Sequence, residues 1–494
     1  PSVTAKLSST RMGVLTTAQI TALTTAQAAA LTATQAQGIT TVQTSALESA
    51  DLSAMTTAAF VAINTGVVAG LSSTQVGALT NAQVTALTTA QAAALTATQA
   101  AGITTVQTSA LQNAALSKLT TAAFEAIATE VIAGLSNGQV GALTSAQITA
   151  LTTAQAAALT ATQAAGITTV QTAALESGDL NKLTTAAFAA LTTGVVAGLS
   201  STQMGSLTTD QVSALTTDQA AALTTTQTVG LSSAQVGALG TTDLQKVTTA
   251  AFAAIRTDAV VGLSSGQVNA LTTDQAVALT TAQISKLLDT QVKEMSTAQI
   301  AAIETADIAK MTNDQVAAIT TAGIVALSTA QVQALTASQL ANLTTAQVAA
   351  IETADIAALT TAQISKLTMD QMPALTTAQV AAIETADLVL LTNSQIESIS
   401  TAGIAALSTD QVKVITTSQI KALTAAQITA LTTDVSVVAT DQLRQLNDEQ
   451  VAAITTAGIA ALTTDQVSNL KATQVAAMTT AQIGAIEAAD TLVL

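Results

Sequence analysis

Leu15-Thr16-Thr17-Ala18-Gln19-Ile20-Thr21-Ala22 packs a full set of helix-start signals into eight residues. With Thr16 as N-cap, Gln19 falls three residues on, which is the spacing of a capping box. Leu15 and Ile20 then occupy N′ and N4, the two partners of a hydrophobic staple. The next such signal begins at Leu23. Only five or six residues are left for each helix.

Outward from this stretch, an apolar residue recurs at every eighth position: Leu7, Leu15, Leu23, Leu31, Ile39, Leu47, Met55, Ile63, Leu71. The consensus is Leu-Thr-Thr-Ala-Gln-Ile/Val-x-Ala, with Leu in first place. The expected organisation is a leading segment at 1–6, an octapeptide array at 7–438, one seven-residue irregular unit at 439–445 and the array resumed at 446–494. The short unit, with small Ala439 where Leu is expected, predicts a local kink near residue 440. Pro373, in seventh place, is expected to disrupt the end of its helix.

A longer period lies on top of the octad. Phe60, Phe124, Phe188 and Phe252 are the 4 phenylalanines, each eight octads from the next. Block duplication accounts for this order, and core filling is the expected role of the rings. No Pro- or Gly-rich linker interrupts the array.

One continuous helix does not fit. At about 100° per residue, the apolar position drifts by about 80° per octad and winds round the helix. A β-solenoid is the alternative, but the two apolar places have opposite parity and Ala and Gln are poor strand formers. Charge placement favours short helices independently. Of 30 acidic residues, 27 stand in the second to fifth places, and 10 of 14 basic residues stand in the seventh or eighth. Acid at a helix start and base at its end is the order the helix dipole favours. Gly in eighth place (Gly38, Gly70, Gly102, Gly134) marks a helix end. The predicted fold is therefore all-α: a solenoid or superhelix of very short helices, one per octad. Each octad buries too little to stand alone, so neighbours share a core. The expected core is the first and sixth side chains, with the fourth and eighth Ala allowing close approach and Thr, Ser and Gln facing outward.

Composition narrows function. The chain has 494 residues, a net charge of −16, no His, no Cys, no Trp and no Tyr. The usual zinc and nucleophile–base arrangements lack their residues. No basic patch offers itself to nucleic acid, and no apolar run is long enough for a membrane span. The Glu-Thr-Ala-Asp blocks, such as Glu352 and Asp355, read as helix-start acids, with a weak Ca²⁺ site as the alternative. No catalytic, cofactor-binding or metal residues are assigned and no cofactor is expected.

The repeated Leu-Thr-Thr-Ala-Gln-Ile/Val octads over 7–494 resemble those of very large bacterial secreted or surface repeat proteins of adhesin-like type. The resemblance implies an extracellular or cell-surface location and a scaffold or adhesive role. The expected function is a structural subunit of an extracellular filament, sheath or surface layer, not an enzyme. Its expected partner is itself, through the in-register ends of the array (Leu7, Leu494) and its sides, with surface or matrix contacts possible in addition. The alternatives are the spacer stalk of a giant adhesin and an ice-binding protein using Thr rows.

Overall fold

The computed structural model describes residues 6–486, which contain 55 short α-helices, a few 3₁₀ helices and no strand. Residues 1–5 of the leading segment and residues 487–494 of the array, with the end residue Leu494, lie outside the described residues. The α-helices run four to six residues, as the spacing of the caps requires. The all-α solenoid is thus the fold, and the β-solenoid alternative falls.

The chain forms two units, Pro1–Gly262 and Leu263–Leu494. In each, a helix packs against the one three octads further along. In the first unit Thr217–Ala221 packs on Thr241–Lys246, and in the second Thr273–Ala278 packs on Thr297–Ala302. Three octads therefore make one turn, a number that the period of eight does not reveal.

The octad Leu143–Ala150 shows the cross-section. Leu143, Gln147 and Ile148 are buried, Thr144, Ser145, Ala146 and Thr149 are exposed, and Ala150 is intermediate. The core has the expected first and sixth side chains, Phe60, Phe124, Phe188 and Phe252 included, all fully buried. Two expectations need correction. The fourth residue faces solvent, so its small size does not serve helix approach. The fifth, Gln, points inward and not outward, because it has work to do between turns.

The predicted capping box is present. In the octad Leu15–Ala22, Gln19 N donates to Thr16 Oγ1 (3.3 Å) and Thr16 N to Gln19 Oε1 (2.9 Å). In the Gln147 octad the same pair measures 3.2 and 2.9 Å. There the amide group goes further. Gln147 Nε2 donates to Leu116 O (2.8 Å) and Leu119 O (3.0 Å), residues 31 and 28 earlier. These carbonyls lie at the end of one helix and in the linker after it, where a helix leaves its acceptors unsatisfied. One buried amide thus closes the start of its own helix and the helix end beneath it. The pattern repeats in both units: Gln83 reaches Leu52 O and Met55 O, and Gln379 reaches Val348 O and Ile351 O. Gln19, close to residue 1, makes no such bond and is exposed.

The eighth-place glycines also serve the approach of turns. No described Gly has a positive φ, so they do not close helices by a left-handed cap. A Cβ on Gly102 would lie 2.1 Å from Ser73 O, and one on Gly166 would lie 2.2 Å from Asn137 O. Only a residue without a side chain lets the backbones meet there.

The seven-residue step sits one unit earlier than expected. Val438, not Ala439, is buried in the first-place role, and Ala439 is the exposed N-cap of the next helix. The short unit is therefore Leu431–Val437: a branched Val reaches the core and an Ala does not. The unit is a 3₁₀ helix, Thr432–Val437, entered through Thr432 at φ 51°, the one described non-glycine with positive φ. Across the step the ladder shortens by one residue: Gln442 and Gln450 reach back 27 residues, to Ile415 O and Leu423 O. At Pro373 the helix end becomes a 3₁₀ turn, Met372–Ala374, since Pro lacks the N–H an α-turn needs. Gln371 still reaches Leu340 O and Leu343 O. Ion pairs contribute little: among the described residues only Arg256–Asp258 and Lys413–Asp410 form, both exposed.

A substitution separates the amide's donor role from its bulk. Gln147→Glu keeps the shape but turns a donor into an acceptor facing two carbonyls. It should destabilise the array by about 2–4 kcal/mol at neutral pH, and more than Gln147→Met. Chemical denaturation of the three proteins makes the comparison. Equal stability of the Glu variant and the parent would remove the donor role.

Candidate functional surfaces

Chemistry requires convergent side chains, and the fold disperses them. Thr and Ser in second place are bound to their own helix as caps. Among the described residues no three His, Cys, Asp or Glu side chains group as a metal site. The Glu-Thr-Ala-Asp blocks put Glu304, Glu352 and Glu384 at N-cap positions without a side-chain cap bond. The helix-start position expected of the acids is found, but the side-chain cap is not. Asp307, Asp355 and Asp387 are buried in the fifth place, where Gln otherwise stands.

The first unit contains the same exchange at Asp51 and Asp179. Both are buried, and Asp51 Oδ2 has no hydrogen-bond partner. Burial, helped by the charge of Glu48, raises the Asp51 pKa above the usual carboxylate value. Burial, helped by Glu176, raises that of Asp179 to about 6. Each carboxylate stands where the ladder calls for a donor. Burial without a ladder bond disfavours the charged form, so the folded chain holds the proton more tightly than the unfolded chain.

Three clefts mark the surface of the first unit, at matching places in successive blocks. They are lined by Leu47, Glu48, Gly70 and Ser72 (about 430 Å³), by Leu111, Gln112, Gly134 and Ser136 (about 580 Å³), and by Leu175, Glu176, Gly198 and Ser200 (about 580 Å³). Their charge is not constant, since Gln112 stands where the others have Glu. Ser72, Ser136 and Ser200 already accept the N–H of Gln75, Gln139 and Gln203. The clefts therefore follow from packing and carry no shared chemistry. Just before each lies the octad Ile-Thr-Thr-Val-Gln-Thr, which exposes Val42, Val106 or Val170 and buries the hydroxyl of Thr44, Thr108 or Thr172 without a partner. The adjacent β-branched residues resist the α-helix, and these octads tighten to 3₁₀ geometry.

What sequence reasoning missed is the inward face of the fifth residue. The signal was there: a capping box accepts Glu as readily as Gln, yet Glu never occupies this place. Gln can donate as well as accept, which an ionised Glu cannot; where a carboxylate does fill the place it is the shorter Asp, as at Asp51, Asp179, Asp307, Asp355 and Asp387.

A family model described as the ALTTAQ repeat matches residues 44–81, 172–209, 196–225, 236–273, 252–289, 308–345, 348–383, 380–416 and 435–472, together more than half of the chain. The chain belongs to this repeat family. No curated protein matches it. Among the described residues no helix is long and apolar enough to cross a membrane.

The buried aspartates set a pH dependence. A pKa raised on folding means that Asp179 contributes no penalty below about pH 4, where it is protonated in both states. Its penalty grows as pH rises through about 6 and the folded carboxyl must give up its proton. Asp179→Asn should therefore raise the melting temperature at pH 7.5 and leave it nearly unchanged at pH 4. A variant less stable than the parent at pH 7.5 would contradict this assignment.

Proposed function

We propose that this member of the ALTTAQ repeat family, a structural repeat protein, is a subunit of an extracellular bacterial filament, sheath or surface layer built from copies of itself. The observation that carries the reading is a differentiated interior under an undifferentiated exterior. Inside, most octads commit a first-place Leu or Ile, a fifth-place Gln and an apolar sixth residue to the core and the neighbouring turns. Outside, the second, third and fourth places repeat Thr, Ser and Ala along both units, as in Thr344, Thr345 and Ala346. Such a face offers the same hydroxyls and small side chains many times over, which suits side-by-side packing of identical chains and does not suit one small ligand. Among the 494 residues, 14 basic side chains against 30 acidic ones leave the exterior acidic, so close lateral packing benefits from screening by salt.

Lateral contact falls to the third-place Thr and Ser and the fourth-place Ala. The ladder Gln is used up inside, and the second-place hydroxyl is largely held by its own helix. That last point also weakens a regular ice-binding lattice, which needs paired free hydroxyls.

Sedimentation and negative-stain electron microscopy of the purified full chain test the proposal. Mass-average size should grow with protein concentration, more strongly at about 0.5 M salt, where the Debye length falls below about 5 Å, than at low salt. Particles that stay monomeric over the accessible concentration range in both salts would overturn it.

A further inference from the structure

The ladder has gaps, and in the first unit they are not scattered. The fifth place is filled in successive octads by Asp51, Ala59 and Val67, then by Ala115, Ala123 and Val131, by Asp179, Ala187 and Val195, and by Asp243, Ala251 and Ala259. Each set is three consecutive octads, which is one complete turn. The turns at 47–70, 111–134, 175–198 and 239–262 therefore have no fifth-place Gln to send back to the turn before them. For the first three the link on the other side is intact, as where Gln75, Gln83 and Gln91 donate to Leu47 O, Met55 O and Ile63 O. The middle octad of each gapped turn carries the fully buried Phe60, Phe124, Phe188 or Phe252, so apolar packing takes over where the amides stop. Few side-chain bonds replace them. Asn64 Nδ2 donates to Gln37 O in the first gapped turn, and Thr217 Oγ1 to Asp243 Oδ1 in the fourth. Among the described residues, the second and third gapped turns make no side-chain hydrogen bond to the turn before them.

The second unit differs. Its gaps at Asp307, Gly323, Asp355, Asp387, Gly403, Val435, Gly458 and Asp490 never fill three successive octads. Each of its turns keeps at least one ladder Gln.

We propose that the four gapped turns are built-in opening seams, at which the first unit parts between turns before any Gln-laddered interface does. Stacked repeats interact only with their neighbours, so a weak interface opens without unfolding the rest. An interface held by apolar contacts also lacks the directional bonds that a separating pair of turns must break one by one. Opening at seams spaced every eight octads gives the array a defined way to lengthen under load and close again.

The chain has no Cys, so a single introduced thiol reports local opening by its rate of labelling under native conditions. Ala59→Cys, Ala123→Cys and Ala187→Cys place the thiol at seams. Ala92→Cys, Ala156→Cys and Ala220→Cys place it beside Gln91, Gln155 and Gln219 in laddered turns. All six sites are buried, at 2 % relative exposure or less. In the full chain the seam thiols should label at least about tenfold faster than the laddered ones, the effect of losing one or two net hydrogen bonds. Adding Gln91→Ala to the Ala92→Cys protein should bring its rate up to that of a seam. Three independent pairs keep the comparison alive if one variant fails to match the parent's circular dichroism. Equal or slower labelling at the seams, or no response to Gln91→Ala, would overturn the proposal.

Discussion

The buried Gln amide holds this structure together. Each ladder Gln uses its Oε1 to receive the N-cap amide of its own helix and its Nε2 to serve two carbonyls in the turn beneath. A helix of four to six residues ends almost as soon as it starts, so it leaves most of its backbone groups without an intrahelical partner. Isolated helices of this length do not persist in water. A core of Leu and Ile alone does not satisfy those polar groups. The ladder does, and it does so by joining each turn to the next, so local completion and long-range stacking are one event.

Much of this was legible in the sequence, for local reasons. The cap, the box and the helix length depend on residues within eight positions of each other, and Thr16 and Gln19 declare them directly. The apolar core at the first and sixth places follows from the same spacing, as does the disturbance at Pro373. The rest was hidden because it depends on residues about thirty apart. The number of octads per turn decides whether Gln faces water or a carbonyl, and an eight-residue period is silent on that number. Gly102 does follow the end of its helix, Ala97–Ala100, but its second role was hidden, since the carbonyl of Ser73 that it must clear belongs to another turn. The seven-residue step was placed one unit late because Ala439 keeps the eightfold count, whereas burial selects Val438.

Duplication and physics can be told apart in this chain. The first unit repeats its blocks of eight octads closely, so its clefts, exposed valines and phenylalanines recur by copying. In the second unit the blocks have diverged, yet Gln still fills most fifth places and the acids still gather at helix starts. What persists after the copies drift is what the fold requires. After Arg11, where the fifth place departs from Gln it goes to Asp, Ala, Val or Gly, and the consequences differ: a buried carboxyl such as Asp179 with a raised pKa, a gap beside a buried Phe, or a glycine such as Gly458 pressed under the carbonyl of Thr432.

Side-chain amide hydrogen exchange, observed by NMR on the full chain with selectively ¹⁵N-labelled glutamine, tests the role of the ladder most directly. Two classes are expected: slowly exchanging Nε2 protons from the buried fifth-place residues such as Gln147 and Gln379, and fast ones from exposed residues such as Gln19. A single fast class, with every glutamine amide exchanging as it does in an unfolded peptide, would contradict the buried ladder and with it the stacked solenoid.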